Sequence, residues 1–408
     1  MLSKRGQNCI SGSNPLVSAH FKAEADPWHA QRNPEGYLNM GTAENGLLYD
    51  LLKAKFEQSE VIPERLTHYA NMQGTHELRK AFADYYSKGL HHKADASNVV
   101  FSTGSSAILD QLAHLLFEPG DGILVPAPYY AGFDHDFRAR AGVIPVPAYL
   151  SSADNYLLNT EILEENYDRA IENGINIRGI LITNPNNPLG DVYSPELARE
   201  IIEFAKSRNL TVIWDEIYRY SVFSDTPFTP VLDLADGYEE HVHVVYGFAK
   251  DFGLSGFKAG ALITRNDDLL KAIPQLTYFS CLSTVTQHLL LEMLTDPDWL
   301  STLQRENCKR LDGAYQTFTG ALDRMGIPYH PARAGFFLWT DLRSWLDTSN
   351  REGEMKLYKM LFENARVNIS PGTGFHSLES GWFRACYARD DQFLNEAVNR
   401  IAGVLKSA

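Results

Sequence analysis

The feature that most constrains the fold of this chain is the alternation of short apolar runs with segments whose apolar residues have helical spacing. Strand-like and helix-like patterns follow one another from about residue 97 to about residue 263, joined by short turns that contain Gly and Pro. This alternation is typical of βα units, whose strands lie parallel in one sheet. One helix start is plain, since Ser194 is placed to cap it and Pro195 suits its first position. We therefore predict an α/β protein with a central, mostly parallel sheet between helices.

The rest of the chain predicts a smaller α+β unit. The first 45 residues are irregular and polar, and helical patterns past about residue 290 surround the strand candidates Phe336–Thr340 and Phe383–Tyr387. We assign residues 46–290 to a large domain, and residues 1–45 and 291–408 to an N-terminal arm and a small domain. A small-molecule site is expected in the cleft between the two domains.

Charge and composition argue against several kinds of partner. The 408 residues include 37 Lys and Arg against 51 Asp and Glu, a net charge of −14. Nucleic acids and anionic membranes favour basic faces, so neither is expected as a partner. Neither a signal-peptide pattern nor a bilayer-spanning apolar run is evident. The four cysteines show no metal-type spacing and no disulfide-rich pattern, and we expect a cytoplasmic protein without a metal site; they are Cys9, Cys281, Cys308 and Cys386.

A lysine follows the strand-like run Val242–Tyr246 closely. Lys250 stands where its amine can form a Schiff base with the aldehyde of pyridoxal 5'-phosphate. Taken alone, such a lysine is more often a solvated surface residue. We predict that Lys250 holds the cofactor and, once released, acts as a general base.

An acidic residue closes another buried run, Leu210–Trp214. Asp215 would emerge at the carboxyl end of a parallel strand, the edge at which open α/β sheets bind ligands. A carboxylate there keeps the pyridine nitrogen of the cofactor protonated, so that the ring withdraws electrons. The alternative is a helix cap. A nucleotide-binding acidic pair is excluded, because the sequence contains no Gly-Lys-Ser/Thr phosphate loop.

Polar side chains that could bind the phenolic oxygen and the phosphate of the cofactor follow further strand candidates. Asn187 lies in a Pro-containing turn, and Asn187 and Tyr218 can donate to the phenolic oxygen of the ring. Ser105 and Ser106 open a helix whose N-terminus favours a phosphate. The structural alternatives are that Asn187 belongs to an ordinary Asn-Pro turn and that the two serines only cap a helix.

An arginine near the C-terminus lies in a mostly apolar stretch. A buried guanidinium is costly unless it is paired, and its planar fork binds a carboxylate through two hydrogen bonds. We predict that Arg384 binds the α-carboxylate of the substrate, with a structural salt bridge as the alternative.

Together these motifs resemble the class I/II aminotransferase family of fold-type I pyridoxal-phosphate enzymes, and within it most closely 1-aminocyclopropane-1-carboxylate (ACC) synthase. The resemblance spans nearly the whole chain and includes segments 33–45, 126–134 and 370–374. It implies the PLP-dependent transferase fold (type I). It also implies that Tyr129 stacks on the cofactor ring, that Glu44 faces the substrate, and that Tyr69 reaches the phosphate of the other subunit in a homodimer.

The chain departs from the family around Lys250. The family usually carries serines three and one residues before this lysine and an arginine eight residues after it, where this chain has Gly247, Ala249 and Lys258. A compact ammonium cannot bind phosphate with two parallel bonds as arginine does. We expect the cofactor to be held more loosely, through Ser105, Ser106 and Lys258.

Three functions remain open on these residues. The first is an ACC synthase-like elimination or cyclisation, or carbon–sulfur lyase chemistry, in which loss of the α-proton of an amino acid expels a side-chain group. The second is transamination to a 2-keto acid. The third, of another class, is a cofactor-binding regulatory protein that has lost catalysis, against which the complete set of catalytic residues argues.

Overall fold

A computed structural model describes residues 2–10, 15–59 and 63–406. The strands are β1 (Leu38–Asn39), β2 (Val99–Ser102), β3 (Gly122–Ala127), β4 (Ile144–Tyr149), β5 (Ile177–Thr183), β6 (Thr211–Asp215), β7 (Val242–Gly247), β8 (Gly260–Ile263), β9 (Tyr329–His330), β10 (Phe337–Asp341), β11 (Val367–Asn368), β12 (Ser370–Pro371) and β13 (Trp382–Cys386). The helices are α1 (Lys4–Ile10), α2 (Pro15–Ala25), α3 (Tyr49–Phe56), α4 (His76–Tyr86), α5 (Ser105–Leu116), α6 (Gly132–Arg138), α7 (Thr160–Glu172), α8 (Pro195–Ser207), α9 (Asp267–Ala272), α10 (Pro274–Thr277), α11 (Thr284–Leu294), α12 (Pro297–Met325), α13 (Arg351–Glu363) and α14 (Asp391–Leu405).

The largest sheet has seven strands in the order β2-β8-β7-β6-β5-β3-β4. Strand β8 runs antiparallel to both of its neighbours, and the other pairings are parallel. The predicted α/β class with a mostly parallel central sheet is confirmed. Because the parallel strands run in one direction, their carboxyl ends meet at one edge, where Asp215 closes β6 and Gly247 closes β7.

Both faces of this sheet are buried, as its nearly continuous apolar strands require. Tyr246 of β7 packs in the core that contains Phe82 of α4, whereas the adjacent Val245 packs in the core that contains Ile108 of α5. The alternation follows from the two-residue period of a strand. Helices therefore cover the sheet on both sides and hold its strand ends in place.

A second sheet, in the order β12-β13-β10-β9, forms part of a separate core in the C-terminal region. The central pairs are antiparallel, with Trp339 of β10 opposite Arg384 of β13. A two-stranded parallel sheet joins β1 of the N-terminal arm to β11. The N-terminal arm thus packs with the C-terminal region, in the arrangement expected for the small domain. The domain boundaries stay a prediction.

The N-terminal arm is more regular than its sequence suggests. Helix α2 buries Ala19 and Ala23 against the core that includes Leu38. The prediction of an irregular segment was wrong here, because tertiary packing stabilises a helix whose own periodicity is weak. Among the helices of the described residues, none combines the length and apolar character needed to cross a bilayer.

Candidate active site

The carboxyl ends of the central strands bring the predicted cofactor residues to one edge of the sheet. Asp215 is the last residue of β6, and it lies in register with Thr183 of β5 and Val245 of β7. Lys250 follows β7 by three residues, and Ser105 opens α5 after β2. Residues far apart in the sequence therefore share one site.

Lys250 is partly buried, and its amine donates a hydrogen bond of 2.6 Å to the carbonyl of Ala43 in the N-terminal arm. Burial lowers the pKa of Lys250 to about 8, helped by the positive charge of Arg384, while the carboxylates of Glu44 and Asp215 oppose this effect. A lysine with such a pKa is substantially neutral at mildly alkaline pH. It is therefore able to act as a nucleophile and as a base.

The loop that carries Lys250 is held by the next residue, Asp251. This buried carboxylate accepts hydrogen bonds from the Ser221 hydroxyl at 2.6 Å, the Tyr220 amide at 3.0 Å and the Tyr246 hydroxyl at 3.1 Å. These bonds join the loop to β7 and to the segment that follows β6. The backbone that positions the lysine is thus fixed from two sides.

Asp215 is 2% exposed. Among the described residues, its carboxylate accepts one hydrogen bond, from the Ile217 amide at 3.2 Å. Burial raises the pKa of Asp215 to about 7. A buried carboxylate with so little compensation is costly, and a cationic N–H placed beside it would stabilise the charged form. The protonated nitrogen of a pyridine ring is such a group, so this residue fits the predicted cofactor.

Three predicted residues form a continuous chain of hydrogen bonds. The Arg384 guanidinium donates to Asn187 Oδ1 at 3.1 Å, and Asn187 Nδ2 contacts the Tyr218 hydroxyl at 3.5 Å. All three side chains are buried. Arg384 comes from β13, so the small sheet supplies one wall of the site and the large sheet supplies the other.

The guanidinium of Arg384 is incompletely bound within the chain. One nitrogen donates to the Gly41 carbonyl at 2.6 Å, and the ring of Phe375 lies 4.8 Å from the guanidinium carbon. Its Nε is buried without an acceptor in the described parts of the chain. A bound carboxylate would supply the missing acceptor.

The predicted phosphate-binding residues surround the N-terminus of α5. The Lys258 ammonium lies 3.8 Å from the point that a β-carbon on Gly104 would occupy, directly before that helix. The Ser105 hydroxyl donates to the Tyr246 carbonyl at 3.4 Å and the Ser106 hydroxyl to Asp136 at 3.4 Å. Helix N-terminus, hydroxyls and ammonium together form a site suited to phosphate.

Sequence reasoning missed Asp136 at this position. Burial raises the pKa of Asp136 to about 7, while Lys258 opposes the shift. Near neutral pH this carboxyl carries only part of a negative charge, so it opposes a phosphate less than an ordinary aspartate would. The signal available in the sequence was the position of Asp136, which lies one helical turn into α6 and follows the Tyr129-Tyr130 pair.

The glycine that replaces the usual serine at position 247 has a structural reason. A β-carbon on Gly247 would lie 2.4 Å from the Ser105 hydroxyl oxygen. Such a distance is far inside van der Waals contact. In this chain Ser105 therefore occupies the space that a side chain at position 247 would need.

The structure gives the two adjacent tyrosines different surroundings. Tyr129, predicted to stack on the cofactor ring, is buried with its ring stacked on His376 at 4.6 Å and its hydroxyl donating to Asp134 at 3.1 Å. Tyr130 is 38% exposed. Burial raises the pKa of Tyr130, Asp136 adds to this, and Arg384 lowers it, so its hydroxyl lies near these groups of the site. The charge of Asp215 also raises the pKa of Tyr130, whereas Tyr129 contacts His376 and Asp134. The stacking of Tyr129 on the cofactor ring stays a prediction.

Two further predicted residues lie at the margins of the site. Glu44 follows the carbonyl that Lys250 binds, and its carboxylate is near enough to raise the pKa of both Lys250 and Cys386. Tyr69 is 98% exposed and lies apart from these groups in the single chain. Its predicted role in a neighbouring subunit stays a prediction.

Comparison with known proteins identifies the family of the chain. The family model "Aminotransferase class I and II" matches residues 38–401. The chain is 36% identical to 1-aminocyclopropane-1-carboxylate synthase 2 of Cucurbita pepo over 98% of this chain and 85% of that protein. It is also 36% identical to 1-aminocyclopropane-1-carboxylate synthase of Glycine max, over 95% of this chain and 84% of that protein.

Solved structures show the same fold. The aspartate aminotransferase from Rhizobium meliloti superposes with a TM-score of 0.83 at 22% identity, covering 100% of this chain and 99% of that one. The aspartate aminotransferase from Thermus thermophilus with maleate gives a TM-score of 0.82 at 21% identity, covering 99% of each chain. The chain therefore belongs to the class I and II aminotransferase family and is a pyridoxal-phosphate-dependent enzyme of amino acid chemistry.

Proposed function

We propose that this enzyme removes the α-proton of an amino acid with a positively charged sulfonium side chain and closes a ring as an ACC synthase does: the α-carbon bonds to the γ-carbon while the γ-carbon–sulfur bond breaks, and the sulfur leaves as a neutral thioether. The observation that carries the proposal is Glu44, whose carboxylate lies near the Lys250 amine on the arm side of the site. An anionic group at this position favours a substrate whose side chain is positively charged, such as a sulfonium. The 36% identity to ACC synthases over nearly the whole chain supports the same reaction.

The residues would hold the cofactor at defined atoms. Asp215 would bind the protonated ring nitrogen, Asn187 and Tyr218 the phenolic oxygen, and Tyr130 one face of the ring. Ser105, Ser106 and Lys258 would bind the phosphate at the N-terminus of α5. When bound, pyridoxal 5'-phosphate supplies an aldehyde that captures an amine and a ring that withdraws electrons from the substrate α-carbon.

Arg384 and Lys250 act on the substrate itself. The free Nε of Arg384 and its neighbouring nitrogens bind the α-carboxylate, which orients the amino acid between the two sheets. The neutral Nζ of Lys250 takes the proton from the α-carbon. Because the pKa of Lys250 is lowered to about 8, this base is available without extreme alkalinity.

Repeated turnover without an acceptor tests the proposal. S-adenosylmethionine is added to cofactor-loaded protein in the absence of any keto acid, and the visible absorbance and the products are followed. We expect the absorbance to recover unaided and a cyclic amino acid to exceed the enzyme in amount. If the absorbance returns only when a keto acid is supplied, the enzyme is an aminotransferase; if Lys250→Ala remains active, the assignment of the base is wrong.

A matched substitution tests the role of Glu44. Glu44→Gln keeps the size of the side chain and removes its charge. We expect kcat/KM for the sulfonium substrate to fall about tenfold or more, while binding of the uncharged thioether methionine changes little. Equal losses for both ligands would show that Glu44 does not recognise the cationic group.

We also propose that the enzyme works as a cytoplasmic homodimer. The support is the almost fully exposed ring of Tyr69 together with the exposed rings of Tyr278 and Phe279, since large exposed aromatic side chains favour an interface. The cysteine pattern supports a reducing compartment. Tyr69→Ala should weaken cofactor binding if the ring serves the partner's site; unchanged affinity would contradict this.

A further inference from the structure

A second cavity of about 820 Å³ lies outside the active site, between α4, α11 and the first turns of α12. Its lining includes Arg219, Tyr85, Tyr220 and Leu291. The segment that begins with the last residue of β6 supplies Asp215 and Tyr218 to the active site, and it supplies Arg219 and Tyr220 to this cavity. The two sites thus share a backbone segment but use different side chains.

Arg219 is unusual because one of its nitrogens, Nη1, is buried without a hydrogen-bond acceptor among the described residues. Arg219 is 7% exposed, and its guanidinium makes no hydrogen bond to any residue that the structure describes. Its Nη1 lies 3.8 Å from Glu216 Oε2, which is too long for a hydrogen bond. The flat faces of the Arg219 guanidinium pack on aromatic rings instead. The guanidinium carbon lies 4.1 Å from the centre of the Tyr86 ring and 5.0 Å from the centre of the Tyr220 ring.

Glu216 lies within ion-pair distance of Nη1 but makes its hydrogen bonds to other groups. The Tyr86 hydroxyl donates to one oxygen at 2.6 Å, and the Val231 amide donates to the other at 2.8 Å. The Nε and Nη2 atoms of Arg219 are not fully buried, and they have no acceptor in the described parts of the chain. An acceptor that enters the cavity would bind at these two nitrogens.

The remaining lining indicates what such an acceptor would be attached to. Leu291, Leu294 and Leu300 form an apolar wall, and the lining also contains charged residues, which are Glu77, Lys80, Asp84 and Lys88. Lys80 pairs with Asp84 at 2.6 Å, whereas Lys88 forms no ion pair with a described residue. The apolar wall and the tyrosines suit an apolar or aromatic body, and Lys88 together with Arg219 favours a negative charge on it. A guanidinium binds a carboxylate through two parallel bonds.

We propose that this cavity binds a small organic carboxylate with an apolar or aromatic body, its carboxylate on Arg219 and its body against the leucine wall. The site is independent of the reaction proposed above, since none of its side chains belongs to the active site. It is a ligand site additional to the one that holds the amino acid substrate.

Calorimetric titration with 4-phenylbutyrate tests the proposal. The cofactor-loaded Arg384→Gln protein is used, so that the active site does not bind the carboxylate probe. We expect saturable binding of one equivalent, and the neutral amide of the same acid should bind about tenfold more weakly or worse. Absence of saturable binding would overturn the proposal.

Two variants in this background locate the bound probe. Arg219→Gln should weaken binding about tenfold or more, whereas Arg324→Gln, which removes the same charge from an exposed position on α12, should leave it unchanged. Ala81→Trp fills the cavity from α4 while keeping Arg219 in the chain, and it should abolish binding. Thermal unfolding shows that each variant is folded. Binding that survives both Arg219→Gln and Ala81→Trp would place the probe elsewhere and refute the site.

Discussion

The contact between position 247 and Ser105 can be tested by a double-mutant cycle. A β-carbon on Gly247 would lie 2.4 Å from the Ser105 oxygen but 3.8 Å from the Ser105 β-carbon and 3.4 Å from Ile217. Gly247→Ala therefore creates one severe overlap, with a single oxygen atom. Ser105→Ala removes that oxygen and leaves distances that ordinary packing tolerates.

The expected free energies follow from these distances. Overpacking costs about 1–3 kcal/mol, and replacing glycine by alanine in an unstrained strand position recovers about 0.4–1 kcal/mol from the unfolded chain. We expect Gly247→Ala to lower the free energy of unfolding by about 1–2 kcal/mol. Ser105→Ala loses only the long 3.4 Å hydrogen bond to the Tyr246 carbonyl, worth about 0.5–1 kcal/mol. The double mutant keeps the gain of replacing glycine without the overlap, so it should be about 0.4–1 kcal/mol more stable than Ser105→Ala alone.

Urea unfolding of the cofactor-free protein measures the cycle. The cofactor is left out because ligand binding adds its own stabilisation. The shift in unfolding midpoint at constant slope gives each free energy. A favourable coupling equal to the overpacking cost, about 1–3 kcal/mol, is expected between Gly247→Ala and Ser105→Ala. Additive losses in the double mutant would refute the argument that Ser105 is what excludes a side chain at position 247.

Three further results are expected at the active site. Because the pKa of Lys250 is lowered to about 8, the amine is protonated below this pH. The rate at which cofactor-free protein captures the cofactor should therefore rise from about pH 6 to about pH 9. Stopped-flow absorbance measures this rate, and a flat pH profile would contradict the prediction. Arg384→Lys keeps the charge but loses the fork, so KM for the amino acid should rise about tenfold or more in steady-state kinetics, and an unchanged KM would remove Arg384 from carboxylate binding. Tyr130→Ala should weaken cofactor affinity in equilibrium dialysis more than Tyr129→Ala, and the reverse order would support Tyr129 as the stacking residue.

Local patterns predicted the secondary structure near the site well. Ser194 caps α8 through a hydrogen bond from the Leu197 amide, and Pro195 is its first residue, as the sequence indicated. The predicted strand Val242–Tyr246 differs from β7 by one residue at its end. Such features depend on neighbours within a few residues, which is why they can be read from the chain directly.

Side-chain direction was harder to predict. The resemblance placed Tyr129 on the cofactor ring, yet Tyr129 turns to His376 and Asp134, which come from different parts of the chain. Adjacent residues of an extended segment point to opposite sides. The choice between Tyr129 and Tyr130 therefore depends on which side faces the site.

The sequence by itself determined the alternating βα pattern, the positions at which strands end and the residue types that a pyridoxal-phosphate enzyme needs. Tertiary structure decided which of those residues meet, because Lys250, Asp215 and Arg384 come from three separate strands or their ends. It also lowered the pKa of Lys250 through burial and a nearby guanidinium. Beside a second cavity, it left Arg219 Nη1 buried without an acceptor from the described residues. Burial and pairing depend on groups distant in the chain, and only folding brings those groups together.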